Sequence, residues 1–226
     1  MIELDRHIFS ILNGSDSLVL DTIMLDITTW WVWIPMYLAL IMLVLKNNET
    51  LLRMIFTIGM AFLCFACTEI ITDVIAKPLF MRVRPCNDST IEANLVNGYA
   101  PTGYSFFSAH AANICGIVTY LCFLFRSRSL NIMLMIWAFL SCYSRVYLGS
   151  HFPGDVIVGA VVGVLVGLLC YRLLLVFENH GERRGHSGRF FVSRRLTSTG
   201  FAVVDIDEVI CIILLTFIGI VLHAII

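Results

Sequence analysis

Long apolar runs separated by short polar stretches dominate this chain of 226 residues. A membrane-spanning helix needs about 20 predominantly apolar residues. Six segments meet that requirement, namely residues 22–45, 51–75, 106–125, 130–149, 154–177 and 207–226. The pattern therefore predicts an all-α polytopic membrane helix bundle with about six transmembrane helices. One domain covers residues 1–226, with a polar, basic cytoplasmic loop at 178–206 before the last helix.

The first 20 residues carry a short apolar patch that contains Ile8, Phe9, Ile11 and Leu12. This patch is too short to span a bilayer, and we expect it to lie along the membrane interface. The residues before it are mildly acidic and lack a basic cluster, so no cleavable signal peptide is expected.

Composition supports a membrane location. The chain is 59% hydrophobic and 14% charged, with a mean hydropathy of +0.89, whereas an ordinary soluble domain is roughly 25% charged. A soluble fold of this length could not bury so much apolar surface. The net charge of −1 gives no indication of a nucleic-acid partner. The cysteines lie mostly in apolar stretches and lack the paired spacing of a zinc site, so neither a disulfide framework nor a metal site is expected.

Lysine and arginine residues are concentrated on one side of the predicted bundle. Ten of them follow spans one, three and five: Lys46, Arg53, Arg126, Arg128, Arg172, Arg183, Arg184, Arg189, Arg194 and Arg195. Five lie on the other side: Arg6, Lys77, Arg82, Arg84 and Arg145. Because positively charged loops stay in the cytoplasm, the 76–105 loop and the 145–155 turn are expected to face outward.

Three polar clusters fall at this predicted outer face. They are the stretches Lys77–Pro85, Phe107–His110 and Ser144–Asp155. Ionisable residues within a membrane protein are costly and usually functional. Taken singly, an arginine could be an interfacial anchor and a histidine or serine a helix cap. Their conjunction on one face of a chain poor in charge indicates a site.

The cations of these clusters suit a phosphoryl group. Lys77, Arg84 and Arg145 supply three positive charges, and arginine binds phosphate oxygens through a bidentate fork. Ser108 stands at the expected N-cap of the third span, where hydroxyl and backbone N–H groups can hold phosphate.

The histidines suit phosphoryl transfer. His151 precedes Pro153, which favours the first turn of a helix. Asp155 lies four residues after His151, so its carboxylate can reach one imidazole nitrogen and leave the other free to attack. His110 is a second imidazole, suited to protonating a leaving alkoxide.

These clusters resemble the three motifs of the type 2 phosphatidic acid phosphatase (PAP2) superfamily, which are Lys-x6-Arg-Pro, Pro-Ser-Gly-His and Ser-Arg-x5-His-x3-Asp. The first and third are matched by Lys77, Arg84, Pro85, Ser144, Arg145, His151 and Asp155. The second is matched at Ser108 and His110, with Phe107 in place of its proline and Ala109 in place of its glycine. The resemblance covers about residues 50–177.

The resemblance implies a two-step reaction without metal or other cofactor. His151 would form a phosphohistidine, oriented by Asp155, and His110 would protonate the leaving group. The phosphoryl oxygens would be held by Lys77, Arg84, Ser108 and Arg145. The implied substrate is a lipid phosphate or diphosphate, with lipid A, undecaprenyl diphosphate, phosphatidylglycerol phosphate and phosphatidic acid as candidates. The predicted location is the cytoplasmic membrane, with the site facing the periplasm or outside.

Other functions remain open at this point. A vanadate-dependent haloperoxidase shares this oxyanion-binding constellation, but those relatives are soluble. Phosphotransfer to an acceptor other than water would use the same groups. A transporter or a non-catalytic lipid-binding scaffold is a different class. The sequence shows no convincing internal repeat of the kind common in transporters, and a dead scaffold would be expected to have lost His110, His151 or Asp155.

Three local patterns carry structural hypotheses. Gly159, Gly163 and Gly167 recur every four residues, a spacing typical of close helix packing within the chain or across a dimer, and the oligomeric state stays open. Asp73 lies four residues before Lys77 and is expected to orient it. The polar stretch 86–104 is either a lid over the site or a simple connection.

Overall fold

The computed structural model describes residues 2–48, 50–182 and 195–226. Its α-helices are α1 Ile2–Leu12, α2 Leu18–Thr28, α3 Ile34–Asn47, α4 Leu51–Glu69, α5 Lys77–Phe80, α6 Ala109–Phe125, α7 Arg128–Tyr147, α8 Pro153–Glu182 and α9 Val203–Ile225. Five helical stretches among the described residues are long and apolar enough to cross a membrane: Trp30–Asn47, Leu51–Phe80, Arg128–Tyr147, Pro153–Glu178 and Val203–Ile225. The shorter α6 is also apolar. The predicted all-α membrane bundle is confirmed.

The first predicted span, 22–45, is interrupted. Helix α2 ends at Thr28, Thr29 is extended, and a 3₁₀ turn at Trp30–Trp33 leads into α3. Pro35 lies in the first turn of α3, where a residue without an N–H is tolerated and favours a helix start. The Trp33 indole N–H donates to the Ile27 carbonyl at 3.0 Å, which ties the two helices together.

The boundaries around the last span also differ from the prediction. Helix α8 continues to Glu182, and α9 starts at Val203 rather than at residue 207. Much of the predicted loop at 178–206 lies outside the described residues, because residues 183–194 are not among them.

The N-terminal segment is seated on the bundle. Phe9 of α1 is fully buried and its ring packs edge-on against Phe152, with 5.5 Å between centroids. Asn13, just after α1, donates from its side chain to the Tyr147 carbonyl at 2.8 Å. The expected interfacial segment is therefore a helix fixed to the end of the bundle that carries the predicted site.

The repeated glycines of α8 lie against α6. A Cβ atom at Gly159 would come within 2.5 Å of the Ser108 carbonyl oxygen, and one at Gly163 or Gly167 would approach an α6 carbonyl more closely still. Only glycine permits backbones this close. The glycine spacing therefore serves packing within the chain, and it presses the start of α6 against the start of α8.

Helix α4 does not run regularly to the site. Residues Ile70–Ala76 form a π-helix, and α5 begins directly after it at Lys77. Met81 then ends α5 in the left-handed conformation, with φ 43°. Since π-helical turns in α-helices are frequent at functional sites, this distortion marks the approach to the first cluster.

Candidate active site

The three sequence clusters meet at one end of the bundle. Lys77 begins α5, Ser108 caps α6, and Arg145 lies in the last turn of α7. His151 occupies the turn between α7 and α8, and Asp155 lies in the first turn of α8. Short connections between long helices thus bring residues 77–155 into one place.

His151 is buried and faces an arginine. Its side chain is 3% exposed, and its Nε2 lies 3.1 Å from Nη1 of Arg84. Because a guanidinium only donates hydrogen bonds, this contact makes Nε2 the acceptor and places the imidazole proton on Nδ1. Burial lowers the pKa of His151 well below its ordinary value, and three neighbouring cations add to that shift: Arg145, Arg84 and Lys77. The imidazole is therefore neutral, and the lone pair of its Nε2 points at Arg84, the side from which a phosphoryl group bound to that arginine would approach.

Asp155 approaches His151 through a serine. The carboxylate Oδ2 is 4.0 Å from Nδ1 of His151, which is beyond hydrogen-bonding distance. The Ser105 hydroxyl donates a short hydrogen bond to Oδ2 and lies 3.4 Å from Nδ1. The Phe152 N–H also donates to Oδ2, at 3.1 Å. Ser105 thus stands between the carboxylate and the imidazole.

The other oxygen of Asp155 is held by Arg82. Nη1 of Arg82 lies 2.5 Å from Oδ1 of Asp155, and Nη2 lies 2.6 Å from Oδ2 of Asp5 in α1. The guanidinium carbon also lies 4.1 Å from the centre of the Phe152 ring. Asp155 itself is fully buried, so its charge is balanced within the protein.

Sequence reasoning missed Ser105, Arg82 and Asp5. Arg82 offered a signal, because it is the middle cation of the first cluster. Ser105 lies three residues before Ser108, but no spacing rule marks it. Asp5 is 77 residues from Arg82 in the chain, and only the docking of α1 brings it near.

Arg84 is fixed by backbone carbonyls. Its Nη1 donates to the Ser150 carbonyl at 3.1 Å, and its Nε lies 3.2 Å and 3.3 Å from the carbonyls of Thr102 and Gly103. Burial lowers the pKa of Arg84, with the charge of Arg145 adding to the shift. Two arginines are thus held near each other against their mutual repulsion, which favours an anion between them.

Arg145 is anchored at one end of its guanidinium. Nη1 donates to the Tyr99 hydroxyl at 3.0 Å and to the Thr28 hydroxyl at 2.5 Å. Nε of Arg145 is buried without a hydrogen-bond partner in the protein. The hydrogen bonds of Nη1 therefore leave Nε of Arg145 available to donate to a bound anion.

The remaining predicted residues line the same end. Lys77 Nζ lies 2.5 Å from the Asp73 carboxylate, so the expected (i, i+4) pair is formed. Ser108 accepts the Ala111 N–H at 3.3 Å and is a true N-cap. His110 lies one residue inside α6, and its Nε2 is buried without a protein partner.

The stretch 86–104 is tied to the site at several points. Tyr99 contacts Arg145, while Thr102 and Gly103 contact Arg84. At its start, the Cys86 N–H donates to the Gly149 carbonyl at 3.0 Å. These contacts favour a fixed wall of the site over a freely moving lid.

Comparison with known proteins identifies the family. The PAP2 superfamily model matches residues 52–177 of this chain. The chain belongs to the PAP2 superfamily. It is 35% identical to the lipid A 4'-phosphatase of Bacteroides thetaiotaomicron over 75% of this chain and 76% of that protein. It is 28% identical to the undecaprenyl-diphosphatase of Sulfolobus acidocaldarius over 74% of this chain and 77% of that protein.

A solved PAP2 structure shares the fold. The crystal structure of a phosphatidylglycerolphosphate phosphatase from Bacillus subtilis matches with a TM-score of 0.58 and 22% identity, covering 81% of this chain and 88% of that one. The predicted family, fold and phosphatase activity are confirmed. This PAP2 phosphatase is a multi-pass integral membrane protein.

Two positions depart from the second PAP2 motif. Phe107, in place of proline, is buried in a small apolar cluster with Ala76 and Ala112. Ala109, in place of glycine, is the first residue of α6, directly after the Ser108 cap. The PAP2 motif thus keeps its capping serine and its histidine, while Phe107 adds an apolar contact between α6 and the π-helix.

Proposed function

We propose that this PAP2 phosphatase hydrolyses a phosphate monoester of a lipid A-like lipid, with His151 as nucleophile. Lipid phosphate hydrolysis is supported by the family and by the relatives reported above. The narrower choice of lipid A is supported by the lipid A 4'-phosphatase, which is the more similar of the two relatives.

One observation carries the chemical part of this proposal. Nε of Arg145 and Nε2 of His110 are buried without a protein partner, at the end of the bundle where Arg84 faces Nε2 of His151. Buried polar atoms nearly always have a hydrogen-bond partner. A phosphoryl group offers several strong acceptor oxygens together with negative charge, so it satisfies these donors and separates the cations.

The first step would be attack by His151. The lone pair of its Nε2 forms a bond to phosphorus, and the bond from phosphorus to the lipid oxygen breaks. His110 enters this step as an imidazolium beside the negatively charged phosphoryl group and donates its extra proton to that oxygen, which leaves as the lipid alcohol. The imidazole of His151 becomes positively charged in this step, and Asp155 stabilises that charge through the Ser105 hydroxyl.

The second step would be hydrolysis of the phosphohistidine. Water attacks phosphorus while His110 takes a proton from it, and the nitrogen–phosphorus bond breaks. Inorganic phosphate leaves, and His151 returns to its neutral state with the proton still on Nδ1. The sum is one lipid phosphate and one water converted into one lipid alcohol and one phosphate.

The surface beside the site supports entry of substrate from the bilayer. Val74, Leu79 and Phe80 are exposed apolar side chains next to Lys77. In a membrane such a surface faces lipid chains, so a phosphorylated head group at the level of Lys77 can reach the cations while its acyl chains stay in the bilayer. The distribution of lysine and arginine supports the periplasmic or outer face as the location of this site.

A substrate panel tests the proposed activity. Phosphate release from lipid A, undecaprenyl diphosphate, phosphatidylglycerol phosphate and phosphatidic acid would be measured with purified protein in detergent, with and without EDTA. We expect lipid A to be the best substrate, no effect of EDTA, and no turnover by His151→Asn. A stronger rate on another lipid would overturn the substrate, and equal rates for His151→Asn and wild type would overturn the nucleophile.

A matched pair of cysteine variants tests the orientation. Ser89 lies in the loop on the site side, and Ser129 lies at the other end of the bundle near the start of α7; both are exposed. In intact cells or spheroplasts, a membrane-impermeant maleimide should label Ser89→Cys above the wild-type background. Ser129→Cys should react only after permeabilisation, and the reverse result would invert the topology.

A further inference from the structure

We propose that Arg82 and Asp5 are positioning residues for the catalytic turn from His151 to Asp155. On this view helix α1 contributes to the active site through Asp5. The inference rests on the proposed function, because it assigns these residues to the orientation of the proposed nucleophile. Arg82 fills one of the unspecified positions of Lys-x6-Arg-Pro, and Asp5 lies outside all three motifs.

Arg82 bridges two carboxylates from different helices. One terminal nitrogen contacts Asp155 and the other contacts Asp5, at 2.5 Å and 2.6 Å. The flat face of its guanidinium covers the Phe152 ring at 4.1 Å, and Phe152 is the residue directly after His151. Arg82 is therefore fixed by its ion pairs and by the same turn that carries the proposed nucleophile.

Asp5 contacts the catalytic turn a second time. Its Oδ1 accepts the Gly154 N–H at 2.8 Å, and Gly154 lies in the first turn of α8 beside Asp155. A Cβ atom on Gly154 would come within 3.0 Å of the Asp5 carboxylate, which measures how closely α1 approaches. The buried contact between Phe9 and Phe152 holds α1 in that position.

Charge explains why both contacts matter to His151. Asp155 is fully buried, and a buried carboxylate is tolerated when it is paired and hydrogen-bonded. Arg82 provides that pairing, so the other oxygen of Asp155 stays directed at Ser105 and the imidazole. Asp5 in turn holds the second terminal nitrogen of Arg82, so both ends of the guanidinium are engaged by carboxylates and neither is left to compete with Arg84 for a phosphate anion.

The test compares kcat and KM for variants at these two positions. Asp5→Asn keeps the shape of the side chain but removes its charge, and Arg82→Met removes the bridge. We expect kcat to fall about 10-fold and about 100-fold respectively, with KM within about 2-fold of wild type, because misplacing a reacting group chiefly affects the chemical step. Arg82→Lys and Asp5→Glu should each recover part of the loss.

A double variant tests whether the two residues act as one unit. If Asp5 acts through Arg82, the variant carrying both Asp5→Asn and Arg82→Met should have about the same kcat as Arg82→Met alone. Independent, multiplying losses would overturn the idea that Asp5 works by holding Arg82. Where Arg82→Met does not fold, Asp5→Asn with Arg82→Lys serves the same comparison.

The same helix provides a matched control. Arg6 forms a 3.0 Å ion pair with Asp88, and these side chains are 45% and 18% exposed. Arg6→Met removes a contact of α1 without touching Asp155, so its kcat should stay within about 2-fold of wild type. An unchanged kcat in Asp5→Asn, or an equal loss in Arg6→Met, would overturn the inference. The proposed function would survive either result as long as His151→Asn remains inactive.

Discussion

Both ends of the bundle carry ion pairs, but the pair that Asp155 forms with Arg82 at the site end is more deeply buried than the pairs of Arg53 and Lys46 at the opposite end. At the site end, Asp155 is fully buried and His151 is 3% exposed. At the opposite end, Arg53 pairs with Glu178 at 2.8 Å, and these side chains are 39% and 24% exposed. Lys46 pairs with Glu208 there in the same manner, at 2.8 Å with both side chains about half exposed.

The difference in burial distinguishes ion pairs that add a little stability from those that serve the active site. An exposed pair is screened by water and salt and contributes about 0–1 kcal/mol. A buried group left without its partner costs considerably more, so a protein retains such an arrangement where it has a use. The buried end is the one that carries the three PAP2 motifs, and the exposed end carries none of them.

The largest effect in this comparison is expected from Arg145. Arg145→Met should lower kcat/KM about 100-fold, because it removes a charged donor aimed at the developing phosphoryl charge. Arg145→Lys should recover only part, since a lysine cannot hold Tyr99 and Thr28 while also binding phosphate. Phosphate release by the two purified variants measures this effect, and full activity in Arg145→Met would show that Arg145 does not bind the phosphoryl group.

A smaller effect is expected from Ser105. Ser105→Ala removes the hydroxyl between Asp155 and His151 and should lower kcat about 10-fold, with KM little changed. Ser105→Thr keeps the hydroxyl and should retain most of the activity. If the alanine variant matches wild type, Asp155 orients the imidazole without the serine.

The buried end should also respond to acid. Because the pKa of His151 is lowered in the folded protein, the unfolded chain takes up this proton at a higher pH than the folded one. The stability due to neutral His151 is complete above the unfolded pKa of about 6.5 and is lost as the pH falls below it. Between pH 7.5 and 5.0, the Tm of wild type should therefore fall more steeply than that of His151→Asn. Parallel curves would contradict a buried neutral imidazole.

The smallest effect is expected at the opposite end. Arg53→Met should change the free energy of unfolding by about 0–1 kcal/mol and leave phosphate release within about 2-fold of wild type. The difference in Tm between wild type and Arg53→Met should be smaller at high salt than at low salt, because salt screens this exposed pair. A large loss of activity would mean that the two ends are coupled through α4 and α8.

Much of this organisation could be predicted from the sequence, for identifiable reasons. Most of the spans were readable because a helix that crosses the bilayer needs about 20 predominantly apolar residues. The clusters containing Lys77, His110 and His151 were readable because their spacing is fixed and charge is rare in this chain. Their location at one end followed from counting spans.

The parts that escaped prediction depend on tertiary contacts or local backbone geometry. The break at Thr29 lies beside Asp26 and Thr28 in an otherwise apolar segment, and a hydropathy average over a span-length window hides these few polar residues. Asp5 and Arg82 are an ordinary acidic and an ordinary basic residue until α1 docks. The 4.0 Å separation of Asp155 from His151 leaves room for the Ser105 hydroxyl, and residue spacing does not specify such an intervening group.

The π-helix at Ile70–Ala76 determines where the first motif places its lysine. A π-helical turn holds about one more residue than an α-helical turn, and each α-helical residue turns the chain by about 100°. Winding the same residues as a regular α-helix would therefore swing Lys77 around the axis by roughly that angle. Every residue of Lys-x6-Arg-Pro would still be present at its proper spacing. The direction in which Lys77 points from the helix axis is thus set by residues that precede the motif. A relative can keep all the residues of Lys-x6-Arg-Pro and still direct its lysine toward the lipid.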